Sequence, residues 1–529
     1  MRLPNHTTSN SDEVPHIAEI AEVKDSSAEI IETYAVKDPY SYVRIIYYND
    51  SNEYLLEIIE PHLGSEERTL LALVKDSLHK ILDYEQDALN IMSAEEYLLK
   101  GIETFIMSRG YKIDSISKKR IGYYLLRDFT GYGKVDALMH DENIEDISCD
   151  GVGIPLFVYH SKYGSIKTTL VFDYEEELNS YIVALGQRGG RQISVSNPIL
   201  DGTVPEGHRI QATYAREVTT RGSTFTVRRF RNNPFTPIQL IKNGTASPEM
   251  IAYFWLGVEN GESMIISGGT ASGKTSTLNS LALFIPPQMK IVSIEDTREI
   301  RLPHQNWIPS TTRSGIREQM HDGKFLGEID MYDLMRAALR QRPQYLIVGE
   351  VRGRETYSMF QAMATGHATY STMHADSMQS MVNRLENEPI NCPRILLTSL
   401  QNVIFQSQVR IDDRFVRRMN KVIEVVGFDP DTNELISNSV FDWERSKDRF
   451  VYKGHSFLFD RIMEMRSLSY KDMMNEFDRR VDIIRYMVQQ DITDHRRIWE
   501  IINQYDREPE EIINHVRRGL QEGGLHIDA

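Results

Sequence analysis

The sequence predicts a multidomain α/β protein in which α+β domains precede a doubly wound core with a parallel sheet and a helical region follows it. Three observations lead there. Between residues 262 and 430, apolar runs of β character alternate with helical segments, the pattern of βαβ units whose sheet is covered on both faces. The length of 529 residues leaves room for roughly three to four domains at ~150 residues each. A composition 41% hydrophobic and 26% charged excludes a disordered or collagen-like chain.

Charge and cysteine content narrow the class further. A net charge of −16 and a pI near 5.5 argue against nucleic acid or anionic lipid as a general partner. Two cysteines, Cys149 and Cys392, cannot build a disulfide framework or a four-cysteine zinc knuckle, and they fit a reducing compartment. The first residues lack the apolar core of a signal peptide, and no apolar run approaches the ~20 residues that span a bilayer. The expected location is therefore the cytoplasm, with membrane work done through a partner.

Along the chain, residues 1–33 read as a polar, acidic, disordered tail, with one marginal helix near Ile17 to Val23. Two β-like runs, Tyr42 to Tyr48 and Tyr54 to Ile59, flank the turn formers Asn49-Asp50-Ser51-Asn52 and predict a hairpin. Helical spacing over Glu66 to Leu82 and Ala94 to Met107 completes an α+β region, 34–115. Short strands separated by turns predict a second α+β domain, 116–231. The prolines and asparagines from Asn232 onward mark a linker, 232–246. Ser247-Pro248 then supplies an N-cap and a first-turn proline for a helix to about Val258. The core is expected over 247–442 and the helical region over 443–529, where Ser469 and Asp472 form a capping box.

The chemistry concentrates in the core. Gly268-Gly269-Thr270-Ala271-Ser272-Gly273-Lys274-Thr275 matches the phosphate-binding pattern G-x-x-x-x-G-K-[ST], with an apolar strand before it and a helix from near Ser276 after it. In that pattern backbone N–H groups and the helix N-terminus cradle phosphates, Lys274 neutralises β/γ oxygens, and Thr275 ligates Mg²⁺. The chain is thus expected to bind ATP with Mg²⁺. The apolar run Tyr345 to Val348 ends in Gly349-Glu350, so Glu350 is the general-base candidate, polarising a water for in-line attack on the γ-phosphorus, and it is also expected to contact Mg²⁺ through water. Another apolar run ends in Glu295-Asp296, with Glu299 beyond, carboxylates suited to organising Mg²⁺ and its waters. His367 and His374 flank a further strand. They lack the partners of a zinc site, which leaves two readings open, histidines satisfied within their own domain and, the one preferred, histidines that sense or contact the γ-phosphate.

Taken in order, the phosphate loop, Ile294-Glu295-Asp296-Thr297-Arg298-Glu299, Arg340-Gln341-Arg342-Pro343 before Gly349-Glu350-Val351-Arg352, and Thr365-Gly366-His367 through His374-Ala375 resemble the type II/type IV secretion ATPase superfamily. Ile144 to Gly151 and Gly222 to Arg228 look like its archaeal branch, including archaellum motors. The resemblance implies a RecA-like P-loop ATPase core and a homo-oligomer, a hexameric ring. It also implies a polytopic membrane platform protein as partner at the cytoplasmic face. It makes Glu350 the catalytic glutamate, assigns Glu295, Asp296 and Glu299 to an acidic box and His367 and His374 to a histidine box. It also places Arg209, Arg216 and Arg228 in a segment that projects arginines onto ATP in a neighbouring subunit.

Two departures stand out. Gln344-Tyr345 replaces the Pro-Asp of many bacterial relatives, and their four-cysteine metal element is absent, so no zinc is expected. ATP binding is expected to close the 116–231 domain on the core, and hydrolysis to reopen it. Two rivals remain open at this point: a hexameric nucleic-acid translocase using Arg216, Arg221, Arg228, Arg229 and Arg231, against which the net charge argues, and a nucleotide-switched scaffold without turnover.

Overall fold

The computed structural model describes residues 18, 27–82, 94–111, 113–230, 234–313, 316–319, 325–411, 414–432 and 434–522. The chain divides into two compact units, Met1–Phe230 and Arg231–Ala529. Apart from Ala18, the helix expected at Ile17 to Val23 lies outside the described residues, as do Asn232 and Asn233 of the expected linker.

The first unit opens with antiparallel strands β1 (Ala28–Lys37), β2 (Ser41–Tyr48) and β3 (Glu53–Ile59). Helices α1 (Ser65–Leu82), α2 (Ala94–Arg109), α3 (Ser115–Phe129) and α4 (Asp136–His140) follow. Strands β4 (Ile144–Cys149), β5 (Pro155–His160) and β6 (Gly164–Val171), helix α5 (Glu175–Arg188), and strands β7 (Ile199–Thr203), β8 (Arg209–Thr213) and β9 (Thr224–Arg228) complete it. All nine strands form one sheet, in the order β1-β2-β3-β6-β5-β4-β9-β8-β7.

Two sequence expectations are corrected here. The regions 34–115 and 116–231 share a sheet, because β3 pairs in parallel with β6 through Leu55 and Leu56, a long-range contact that no local pattern reports. The expected tail is also too long, since residues 28–33 lie in β1. Their acidic character is that of an edge strand turned to water: Glu29 is exposed and Glu32 accepts from Lys162 Nζ at 3.1 Å.

The second unit begins with α6 (Pro237–Lys242), which sits inside the expected linker. Its prolines read as breakers, but Pro237 is at the first helical position, where no N–H is needed, and Thr236 and Gln239 form a capping box. Next come α7 (Pro248–Glu259), β10 (Met264–Ser267), α8 (Lys274–Leu281), β11 (Ile291–Glu295), β12 (Trp307–Thr311) and the small hairpin β13 (Ile316–Gln319) and β14 (Phe325–Leu326). Then follow α9 (Met331–Arg340), β15 (Tyr345–Glu350), α10 (Glu355–Ala364), β16 (Ala368–Met373) and α11 (Met378–Glu386). Strands β17 (Asn402–Ile411), β18 (Arg414–Asp429), β19 (Glu434–Glu444) and β20 (Arg449–Tyr452) precede helices α12 (Phe457–Arg466), α13 (Tyr470–Gln489), α14 (His495–Arg507) and α15 (Pro509–Glu522). The helical region therefore starts at Phe457 rather than at 443, because β19 and β20 extend the sheet past that point.

The sheet runs β12-β11-β15-β16-β10-β17-β18-β19-β20, parallel from β12 to β17 and antiparallel beyond. One strand, β16, separates β10 from β15, which is the RecA-like order. Alternate residues feed two cores. Ile266, Ile347 and Tyr370 pack with Tyr253 of α7, Leu278 of α8 and Ile484 of α13. Ile265, Val348 and Met373 pack with Met335 of α9, Phe360 of α10 and Met381 of α11. Among the described residues β12 and β20 are the edge strands of this sheet, and Pro309 sits at the centre of β12.

One buried carboxylate ties the antiparallel half to the helices. Glu424 of β18 is fully buried and accepts from Ser456 Oγ (2.8 Å), Phe457 N (2.8 Å), Leu458 N (2.9 Å) and Asn438 Nδ2 (3.0 Å), with the Tyr253 hydroxyl at 2.9 Å. It thereby caps the start of α12, where helix N–H groups lack intrahelical partners. Replacing it strands several buried donors, each worth about 1–3 kcal/mol. The variant Glu424→Leu is expected to lower the stability of the second unit by roughly 3 kcal/mol or more. All four tryptophans lie in this unit, so urea denaturation followed by tryptophan fluorescence measures that loss directly.

Candidate functional site

The loop from Gly268 to Gly273 joins β10 to α8, and steric facts fix its glycines. A Cβ on Gly268 would meet the Gln406 carbonyl oxygen at 2.0 Å. Gly273 has φ +90°, and a Cβ there would meet Arg417 Cδ and Gln406 Nε2, each at 3.0 Å. Lys274 is buried at the start of α8 and donates to Gly269 O at 2.8 Å, an oxygen also bonded by Ser272 Oγ at 2.9 Å. Burial pulls the Lys274 ammonium below the usual lysine range, opposed by the negative fields of Glu350 and Glu299. Thr270 and Ala271 are exposed on the loop, and Thr275 and Ser276, in the first turn of α8, are half-buried.

Parallel pairing brings the ends of β10, β11, β15 and β16 to one edge of the sheet, and a bulge aims the key carboxylate. Ile347 pairs with Tyr370 and Val348 with Ser371, but Glu350 pairs with Thr372, so Gly349 is an extra residue in β15. Without it, Glu350 would share the face of Val348, which α9, α10 and α11 cover. Opposite Thr372 it instead takes the face of Tyr370, covered by α8. Thr372 Oγ1 holds the bulge by donating to Gly349 O at 2.7 Å. Glu350 Oε1 then lies 3.4 Å from His374 Nε2. Burial and the Lys274 charge lower the pKa of His374 against the pull of Glu350, so its imidazole is neutral near pH 7. A polar cleft of about 620 Å³ opens beside the pair, lined also by Arg352, Asn383 and Arg384.

The three carboxylates of the acidic box have different environments. Glu295 is buried, and its Oε1 accepts from Glu299 N (2.8 Å) and Ile300 N (3.0 Å), which shapes the turn carrying Glu299. Its Oε2 is buried with no hydrogen-bond partner among the described residues. Burial pushes its pKa up to about 7. Asp296 is exposed and accepts from Arg352 Nη2 at 2.7 Å and from Thr312 Oγ1 at 3.3 Å. Glu299 is exposed, and its field reaches Lys274.

The two histidines separate. His374 follows β16 at the phosphate-loop edge, whereas His367 precedes the same six-residue strand, ~20 Å away at ~3.3 Å per residue. His367 Nδ1 lies 3.2 Å from Ala362 O, at the end of α10. Of the expected pair only His374 stands at the phosphate-loop edge, and His367 is corrected to a position at the far end of the strand: parallel strands run the same way, so only residues at their carboxyl ends converge. The arginines lie in the first unit, exposed, each beside one carboxylate at 3.2 Å: Arg209 with Asp201, Arg216 with Glu175 and Arg228 with Asp146. Residues the motifs did not mark also gather at the phosphate loop and His374. Gln406 of β17 and Arg417 of β18 bond loop carbonyls, and Arg384 Nη1 donates to His374 O. No local pattern flags them, because strand pairing across more than a hundred residues delivers the first two.

A family model described as type II/IV secretion system protein matches residues 172–495. The uncharacterized protein MJ0900 of Methanocaldococcus jannaschii is 35% identical over 469 residues, covering 84% of this chain and 84% of that protein. Type IV secretion system protein PtlH of Bordetella pertussis is 28% identical over 231 residues, 40% of this chain and 67% of PtlH. The solved structure of the Legionella pneumophila ATPase DotB aligns with 71% of this chain and 92% of its own, at 19% identity and a TM-score of 0.40.

Two outcomes test this geometry. The raised pKa of Glu295 means that the folded state binds a proton more tightly than the unfolded state, so its contribution is fully present below about pH 4.5 and is lost as pH rises through about 7. Without nucleotide or magnesium, Glu295→Gln is expected to match wild type near pH 5 and to exceed it in urea midpoint at pH 8. Separately, His374→Ala should lower ATP turnover at least tenfold in a phosphate-release assay. His367→Ala should leave it within about twofold, since the His367 ring caps a helix end at the far edge.

Proposed function

Since the chain belongs to the type II/IV secretion system protein family, we propose that it is a motor ATPase that hydrolyses ATP to drive assembly of a pilus-like or archaellum-like filament, or type II-like secretion. The observation that carries this reading is the Gly349 bulge, which puts Glu350 on the face of α8 beside His374 and within the field of Lys274. A carboxylate so placed can take a proton from water attacking the γ-phosphorus, and the neutral His374 beside it can orient that water. Lys274, bonded to Gly269 O at 2.8 Å, exchanges that carbonyl for phosphate oxygens when ATP enters.

The donor set fits Mg²⁺. The Thr275 hydroxyl in the first turn of α8 and the Glu350 carboxylate are hard oxygen donors, and Glu295 Oε2 is a buried oxygen without a hydrogen-bond partner among the described residues. Thr275 would hold the ion directly and Glu350 through water; bound there, it supplies charge neutralisation to the phosphates. The catalytic set we assign is Glu350 and His374, with Glu295 shaping the turn that carries Glu299.

The oligomer is a ring, a hexamer, in which Arg209, Arg216 or Arg228 of one subunit reaches the nucleotide of its neighbour. Their exposure and single-carboxylate contacts support this, because such contacts are worth at most about 1 kcal/mol and exchange readily for phosphate. An arginine delivered in this way makes turnover depend on assembly. No helix among the described residues is long and apolar enough to cross a membrane. The ring acts at the cytoplasmic face through a polytopic platform protein.

Nucleotide binding and phosphate release measured side by side test the assignment. Lys274→Ala should lose both. Glu350→Gln should retain binding and lose hydrolysis by at least a hundredfold. Arg216→Ala should bind normally and hydrolyse slowly at protein concentrations that saturate assembly. Normal turnover by Glu350→Gln sinks the assignment of the base, and normal turnover by Arg216→Ala sinks that of Arg216 as the residue acting in trans.

A further inference from the structure

The phosphate loop is held from outside by the antiparallel hairpin that follows the parallel sheet. Gln406 of β17 is almost fully buried, and its side chain spans the loop and the first turns of α8: Nε2 donates to Ser272 O at 2.7 Å and Oε1 accepts from Thr277 Oγ1 at 2.8 Å. From the paired strand β18, Arg417 Nε donates to Ala271 O at 3.0 Å, and its stem packs where Gly273 leaves room. Gln406 is opposite Met419 and Gln408 is opposite Arg417, so these side chains share the hairpin face that meets the loop. The hairpin continues beyond this contact to Ile411 and Arg414, and between Phe405 and Gln406 its register shifts by the extra residue Asn420.

The two contacts fix the orientation of peptide groups. The C=O and N–H of a trans peptide point in opposite directions. Turning the Ala271 and Ser272 carbonyls onto Arg417 and Gln406 therefore turns the Ser272 and Gly273 N–H groups the other way, away from the hairpin side chains. Ala271 is held at φ +58°, a conformation that costs a residue with a Cβ and persists only where neighbours impose it. The loop is thus shaped for anions before any arrives.

We propose that Gln406 and Arg417 are positioning residues for the phosphates of the nucleotide, and that through them the β17–β18 hairpin and the nucleotide site are coupled. This rests on the nucleotide-binding reading above. Coupling of this kind is reciprocal: whatever moves the hairpin changes phosphate affinity, and phosphate binding stiffens the hairpin.

The test uses the full chain with Mg²⁺ and a fluorescent ADP, displaced by ADP or by pyrophosphate, which lacks the base. Gln406→Met and Arg417→Met keep side-chain bulk and remove the polar contacts. Each should weaken both competitors alike, roughly 5- to 30-fold, and Arg417→Lys should recover most of the loss. Hydrogen exchange supplies the readout that a merely structural role would not move. In wild type, saturating ADP should slow amide exchange over 407–411 and 414–418. In Gln406→Met, at ADP concentrations that saturate it, this slowing should disappear while the loop itself stays protected. Unchanged affinity in both Met variants, or hairpin exchange indifferent to ADP in wild type, overturns the proposal while leaving ATP binding intact. Failure of wild type to bind either ADP or pyrophosphate overturns the nucleotide reading, and this one with it. Should Gln406→Met not fold, Arg417→Met, on the partly exposed strand β18, decides between the same outcomes.

Discussion

The parallel pairing of β11, β15, β16 and β10 is the constraint on which the chemistry of the second unit depends. Parallel strands deliver every carboxyl end to one edge, so Glu295, Glu350, His374 and the phosphate loop meet although they are spread over more than a hundred residues. Direction alone is not sufficient. Side chains alternate between two buried faces, and a regular β15 would have sent Glu350 to the face away from α8. One inserted glycine changes that parity, and a threonine hydroxyl on the adjacent strand fixes it. A carboxylate that local sequence makes merely terminal becomes one that faces the phosphate loop.

The loop, Glu350 and the acidic box were legible in the sequence because each is a short apolar run followed by a fixed local pattern, and parallel sheets write such runs plainly. His367 reads like His374 along the chain, because a histidine before a strand and one after it look alike although they stand at opposite ends of it. Gln406 and Arg417 carry no local mark, since their meaning comes from strands paired with β10 across the sheet. The helix α6 was hidden by prolines that announce a break in most contexts and a helix start in this one. In the first unit, the acidic residues of β1 imitated a tail because an edge strand, like a tail, is dressed for water.

Burial sorts the carboxylates of this chain by task. Glu424 is surrounded by donors and acts as a joint between sheet and helices. Among the described residues Glu295 has donors for one oxygen only, and burial raises its proton affinity. Glu350 and Asp296 remain partly exposed, each beside one cationic or titratable neighbour. Charges that exchange partners belong where water and ligand can reach them, and charges that hold architecture belong where they cannot.

The position of Pro309 bears on how such a chain crowds together. On β12, Asn306 O accepts from Ile291 N and Thr312 N donates to Glu295 O, which fixes the even-numbered residues as those bonded to β11. The nitrogen of Pro309 thus points outward, where a ring closure replaces a donor. An intruding strand from another copy finds its hydrogen-bond ladder broken midway, so the sheet resists being templated into a fibre even when many copies are held at close quarters.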